Sequence, residues 1–273
     1  MFTFYETILI DSPAKYVRRI TINRPEKRNA VSNKMRAEIF RALETFDRDE
    51  SVRVTILRGA GSCFSSGYDL SDKLYEDQPY YSADGDGAWA RHVTDGWFKI
   101  WDLAKPVIAQ VHGYAMAGGS EMACACDLVY VAENAKIGYP VVRMLSPPDM
   151  QFHPWFMGMR PAMEMMLTGD SISGTEAVRV GFANRAFPEE SLDDAVLERA
   201  VKIAAIHPSL NQLNKRSVHR AMEIMGARTA MRAGSELMGL ATHQESTKKY
   251  LEDVLINMKQ AFDKNTLLES SGG

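Results

Sequence analysis

Over its first 190 residues the chain alternates short β-type runs with stretches of helical periodicity, and beyond that point the strand signal stops. Strands separated by helices imply parallel pairing through crossover connections, which restricts the first part to an α/β layered or wound architecture. Residues 6–10 and 16–22 read as a β-hairpin. Ser32 is placed to cap a helix whose apolar positions Met35, Ile39, Leu43 and Phe46 recur at spacings of four, four and three. Further strands are predicted at 52–58, 106–112 and 128–132, with helices near 88–104 and 118–126 between them. The segment 75–87 interrupts this rhythm with acidic and turn residues around Tyr75, Tyr80 and Tyr81, and a loop of that length is either functional or disordered.

From 191 onward the reading is helical. One amphipathic face carries Leu192, Val196, Ala200 and Ile203; a second carries Val218, Met222 and Met225; a third carries Tyr250, Leu251, Val254, Leu255, Met258 and Phe262. Faces this wide must dock on the core or on a neighbouring subunit. The expected organisation is therefore a core of residues 1–190 followed by a helical region, 191–273.

With 273 residues, 45% of them hydrophobic, the chain can bury one large core. A net charge of −3 without clustered Lys and Arg argues against nucleic acid. No apolar run approaches the ~20 residues that span a bilayer, and the N-terminus lacks a signal-peptide core. Three cysteines, two of them spaced as Cys124-Ala125-Cys126, match neither a disulfide framework nor the usual zinc spacings. A cytoplasmic enzyme or scaffold without a metal is the expectation.

The most informative stretch is 111–127, VHGYAMAGGSEMACACD. A strand ends at Gly113, two glycines follow, and a helix starts with Glu121 in its first turn. Gly118 and Gly119 allow close backbone approach, and the free N–H groups of a helix start point outward with the helix dipole behind them. Such donors suit an oxyanion that develops during a reaction, and a nearby carboxylate could move a proton. The same residues also suit a helix packed closely on a sheet, with Glu121 only complementing the dipole. A second glycine turn, GAGSCFSSGYDLSD at 59–72, offers another backbone donor after Gly67.

Together, FSSGYDL at 64–70 and HGYAMAGGSEMACACD at 112–127 resemble the crotonase (enoyl-CoA hydratase/isomerase) superfamily. NRPEKRNAV at 23–31, AKIGYP at 135–140, AMEMMLTGDSISGTEA at 162–177 and VGFANRAFP at 180–188 extend the resemblance. It implies a crotonase-like spiral of ββα units with a helical C-terminal region for trimerisation, commonly as a dimer of trimers. It further implies an acyl-CoA thioester whose carbonyl is held by the backbone N–H groups of Tyr68 and Gly118. By this likeness the Tyr68 side chain matters through pocket shape, since the donor is main chain. Lys27 or Arg28 would contact a CoA phosphate, although a solvated turn explains either side chain as well. Ser66, Tyr68, Leu70, Gly118, Trp97 and Trp155 are the other implied substrate contacts, and Asp69 is expected to fix its loop. CoA arrives with the substrate, so no further cofactor is implied.

The chain departs from the family at one catalytic position. Glu121 matches the first of the hydratase glutamates, but the second position is Val141, which cannot transfer a proton. Eight residues on stands Asp149, where the dienoyl-CoA isomerase branch of the family has an aspartate. Asp149 could pair with Glu121 or could serve as a turn residue after Pro147-Pro148. His153 is a further candidate base, and Arg143 could pair with Asp149, bind an acidic substrate group or lie at the surface. Trp89, Trp97, Trp101 and Trp155, with Phe98, Phe152 and Phe156, suggest either a wall for a bulky or cyclic acyl group or ordinary core packing. The leading expectation is hydratase or isomerase chemistry. A hydrolase of a thioester or of a C–C bond in a β-keto or cyclic acyl-CoA is the alternative, with a non-catalytic CoA-ester-binding scaffold as the third.

Overall fold

Strands β1 (Ile8–Ala14) and β2 (Val17–Ile22) form the expected hairpin in a computed structural model that describes residues 5–71, 78–253 and 256. Helix α1 (Asn33–Arg48) begins where Ser32 accepts a hydrogen bond from the Met35 N–H, and it buries Met35, Ile39, Leu43 and Phe46. The chain then returns to β3 (Val54–Gly59), which pairs in parallel with β2. Helix α2 (Ala88–Asp102) leads to β4 (Val107–Val111), again parallel. Successive crossovers thus wind the strands into a six-stranded sheet in the order β1-β2-β3-β4-β6-β9, where β6 is Leu128–Ala132 and β9 is Arg185–Phe187.

A second sheet gives the winding its spiral form. Gly113 turns the chain sharply out of β4 into β5 (Tyr114–Met116), because any β-carbon there would lie 1.9 Å from the Ser62 carbonyl oxygen. β5 pairs with β7 (Lys136–Gly138), and β7 with β8 (Ile172–Ser173). The turn through β4, β5 and α3 thus places a strand in the large sheet, a short strand in the small one, and then a helix. Helix α3 (Gly118–Ala125) follows β5 and is buried along its whole length. After it come α4 (His153–Met157), α5 (Met159–Thr168) and α6 (Gly174–Val180). The two- and three-residue strands are too short for alternation to reveal them in sequence.

The helical region completes the enclosure. Helix α7 (Leu192–Ala204) buries Leu192, Val196, Ala200 and Ala204, and the core cluster runs without a break from Ile8 to Met231. Helix α8 (Pro208–Ile224) is pinned by Lys215, whose ammonium donates to the carbonyls of Ile100 and Lys105 and pairs with Asp127 at 2.9 Å. Helix α9 (Ala227–Ala241) packs along α2, and 245–253 is again helical. Of the face with Val218, Met222 and Met225, Met222 packs against the core while Val218 and Met225 are exposed, as are Leu210, Leu213 and Ile224. Tyr75 and most of the face expected over 250–262 lie outside the described residues. Among those described, no helix is long and apolar enough to cross a membrane. Cys63, Cys124 and Cys126 are free thiols in the core.

Candidate active site

The start of α3 is held in a conformation that few residues adopt. Ala117 has φ 48° and ψ −124°, a region strained for a side chain with a β-carbon, and such strain concentrates at functional sites. The N–H groups of Gly118 and Gly119, first in the helix, have no intrahelical acceptor. Facing them is the turn at Gly67, whose φ of 108° favours glycine. Backbone bonds fix that turn on both sides: Val31 N–H donates to the Gly67 carbonyl at 2.8 Å, and Asp69 N–H to the Val31 carbonyl at 3.0 Å. Asp69 ties down the loop as expected, accepting from Arg24 at 2.8 Å and from the Ser71 hydroxyl and N–H.

The Tyr68 side chain does more than the expected shaping of the pocket, since its hydroxyl reaches Glu121. Its ring lies so close over Gly118 that a β-carbon there would meet Cε2 at 2.4 Å. Its hydroxyl donates to Glu121 Oε2 at 2.6 Å and accepts from Trp97 Nε1–H at 2.9 Å. Trp89 packs edge-on against the same ring at 4.8 Å.

Glu121 is fully buried, and its hydrogen-bond partners all donate to it. Met150 N–H reaches Oε1 at 3.1 Å, and the Tyr139 side chain and Asp149 backbone add further hydrogen bonds. Burial pushes the Glu121 carboxyl up to about 7, and these hydrogen bonds limit the rise. Asp149 is buried beside it, with Oδ1 unpartnered. Burial first, and then the Glu121 charge, hold the Asp149 carboxyl well above the usual range; Arg36 opposes them. Its carbonyl is anchored by the Thr94 hydroxyl at 2.9 Å and the Ser235 hydroxyl at 3.1 Å. Two buried carboxyls of unequal surroundings therefore lie side by side near a helix N-terminus.

The remaining candidates divide. Trp97 belongs to the site through Tyr68, whereas no described contact links Trp155, on α4, to either carboxyl. Ser66 N–H donates to the Arg28 carbonyl at 3.0 Å, which lays the 23–31 segment beside the Gly67 turn. Lys27 and Arg28 are exposed there, with the Lys27 ammonium 3.3 Å from the Ser71 hydroxyl. Leu70 is exposed. His153 is buried and stacked on Phe152, its Nδ1 paired with Gln151; burial drives its pKa down to about 3 and keeps it neutral. Arg143 pairs with Asp170 at the surface and does not reach Asp149.

Several residues carried no sequence signal for the site. Tyr139 stands at the step before Pro140, and Arg36 sits within the apolar stripe of α1. His92 is buried with both ring nitrogens unpartnered, and so is Trp89 Nε1. A cavity of about 860 Å³ is lined elsewhere, by residues such as Arg19, Arg58, His112 and Asp193. There Arg19, Arg58 and Gln110 all bind Asp193, so their donors are already answered. Among the described residues no three His, Cys, Asp or Glu side chains are grouped to hold a metal ion.

A wound α/β spiral with two glycine turns meeting at a buried carboxylate is the architecture of the crotonases. The family model for enoyl-CoA hydratase/isomerase matches residues 14–263. A Mycobacterium tuberculosis protein carrying the provisional name enoyl-CoA hydratase EchA13 is 35% identical over 231 residues, 78% of this chain and 73% of that protein. The structure of an enoyl-CoA hydratase from Mycobacterium smegmatis superposes with a TM-score of 0.82 at 27% identity, covering 90% of this chain and 88% of that one. An enoyl-CoA hydratase/isomerase structure from Xanthobacter autotrophicus gives 0.79 at 31% identity, covering 91% and 97%. The chain belongs to the enoyl-CoA hydratase/isomerase family, and it is an enzyme of that type.

Proposed function

We propose that the protein processes an acyl-CoA thioester through an enolate, with the thioester oxygen held by the N–H groups of Tyr68 and Gly118. The observation that carries this reading is the buried Glu121–Asp149 pair beside the first turn of α3. Charge that develops on the thioester oxygen meets fixed donors in a site screened from water, where one such donor contributes roughly 2.7–4 kcal/mol. Glu121, ionised, takes a proton from water or from carbon. Asp149, kept neutral by burial and by its neighbour's charge, returns one to the enolate, in place of the glutamate absent at Val141. Tyr68, Trp89 and Trp97 form an aromatic wall suited to a bulky or cyclic acyl group. Lys27 and Arg28, on the exposed turn beside Ser66, supply charge for the CoA phosphates, and CoA itself enters only as part of the substrate.

The exposed apolar residues of α8 fit burial in a homotrimer or a dimer of trimers, and a cytoplasmic setting suits the substrate. Incubation with linear and cyclic enoyl-CoAs in oxygen-18 water and, separately, in deuterium oxide tests the reaction. Oxygen at the β-carbon, or a shifted double bond with solvent deuterium at the α-carbon, is the expected result. Oxygen in a released carboxylate would replace this reading with hydrolysis, and no turnover of any thioester would remove it.

A further inference from the structure

Two carboxyls share the site, and the mechanism requires them to differ: one must accept a proton while the other holds one. We propose that Trp97 and the Tyr68 side chain form a proton-orienting pair that keeps Glu121 as the base and leaves the shared proton on Asp149. The proposal rests on the Glu121–Asp149 reading above and assigns positioning roles to two residues that need not transfer a proton themselves.

The inference follows from counting hydrogens. An indole N–H can only donate, and a phenol has a single proton to give. Trp97 Nε1–H points at the Tyr68 oxygen at 2.9 Å, so the Tyr68 proton is directed to its other close partner, Glu121 Oε2, at 2.6 Å. On the other side Met150 N–H occupies Oε1 at 3.1 Å, and a backbone N–H cannot accept. Both Glu121 oxygens thus face donors, the arrangement that an ionised carboxylate satisfies and a carboxylic acid does not. Asp149 Oδ1 has no partner, so placing a proton there costs no existing hydrogen bond. Two carboxyls this deeply buried do not ionise together, and the proton settles where the donors are fewer.

The groups that face Glu121 are Tyr68 from the turn after β3, Tyr139 from the end of β7, Asp149 and, on its own helix, Cys124. Arg36 of α1 faces Asp149 and opposes the rise in its pKa without reversing it. Tyr139 is aimed at Glu121 by the Asp149 backbone, whereas Tyr68 is aimed by a second side chain, Trp97. Trp97 therefore acts on Glu121 from one side chain away.

The test is the pH dependence of kcat/KM for the intact protein with crotonyl-CoA, in the wild type, Tyr68→Phe and Trp97→Phe. Loss of the Tyr68 donor should move the acid limb up by about one pH unit, since that bond favours the charged form of Glu121. Trp97→Phe should move it the same way by less. A uniform fall in rate with an unmoved limb in both variants would show that the two residues only shape the pocket.

Infrared spectra of the ligand-free protein give a readout that needs no turnover. Above the Glu121 transition, the C=O band of a protonated carboxyl should be present in wild type and in Glu121→Gln, and lost in Asp149→Asn. A band retained in Asp149→Asn would place the proton on Glu121 and overturn the assignment. If this pattern holds while no thioester reacts, the orienting pair stands and the proposed reaction fails.

Discussion

Tyr68 and Gly118 are in contact through the tyrosine ring: a β-carbon on Gly118 would lie 2.4 Å from Cε2 and 2.5 Å from Cζ. The glycine is required by its neighbour's side chain, not by its own backbone angle. Gly118→Ala should therefore displace the Tyr68 ring from Glu121 and disturb the oxyanion donor together. A fall in kcat of about 10²–10³-fold is expected with the fold kept, checked by steady-state rates beside circular dichroism. In a Tyr68→Ala background the stability cost of the same substitution should largely vanish, because the clash has no partner, and a double-mutant cycle by denaturant titration measures that coupling.

Glu121→Gln should lower kcat by roughly 10²–10⁴-fold, as expected for the loss of a general base. In the wild type, kcat/KM should rise with pH through about 7, as the buried carboxyl ionises. The effect on stability has the opposite sign. The folded pKa lies above the ordinary value of 4.5, so the unfolded chain releases its proton first, and the native state loses stability as pH climbs from there to about 7. Glutamine escapes that loss. The Tm advantage of Glu121→Gln over wild type should widen across this window and level off above it, in scanning calorimetry at several pH values.

Charge reversal of the 23–31 turn separates binding from chemistry. Lys27 and Arg28 are exposed and far less constrained than the carboxyl pair, so Lys27→Glu and Arg28→Glu should raise KM for an acyl-CoA while leaving kcat within a few-fold. The effect should shrink at high salt, because exposed charges are screened within about 8–10 Å at physiological ionic strength. An unchanged KM in both variants would return these side chains to the role of a solvated turn.

Most of the spiral was legible because its longer elements carry strong periodicity: the spacing of Met35, Ile39, Leu43 and Phe46, capped by Ser32, marks α1 and fixes its start. The glycine turns and Glu121 were legible for a different reason, since close approach and a helix start leave few residue choices at Gly67 and Gly118. Asp149 could be paired with Glu121 from sequence, but the donors around that carboxylate could not: the Tyr68 hydroxyl, Tyr139 and the Met150 N–H come from distant segments, and only the folded spiral brings them to one carboxylate. Arg36 was hidden by lying on the apolar face of its own helix, where periodicity reads any residue as core. The exposed Val218 and Met225 show the converse: amphipathic spacing marks an apolar face without saying what covers it.

Lys215 is the strongest test of how the helical region is attached. Its ammonium is buried, pairs with Asp127 Oδ2 at 2.9 Å and donates to the carbonyls of Ile100 and Lys105, at the end of α2 and before β4. Asp127 in turn accepts from Val107 N–H at 2.7 Å, so one lysine ties α8 to the loops that close two turns of the spiral. Removing one partner of such a pair leaves a buried charge unanswered, which typically costs about 3–5 kcal/mol. Lys215→Met keeps the length and the packing but loses the donors, and denaturant titration should show a loss of that size. The double variant Lys215→Met with Asp127→Asn should recover part of it, since no uncompensated carboxylate then remains. Equal stability of the single and double variants would mean that the lost carbonyl hydrogen bonds, rather than the ion pair, hold α8 in place.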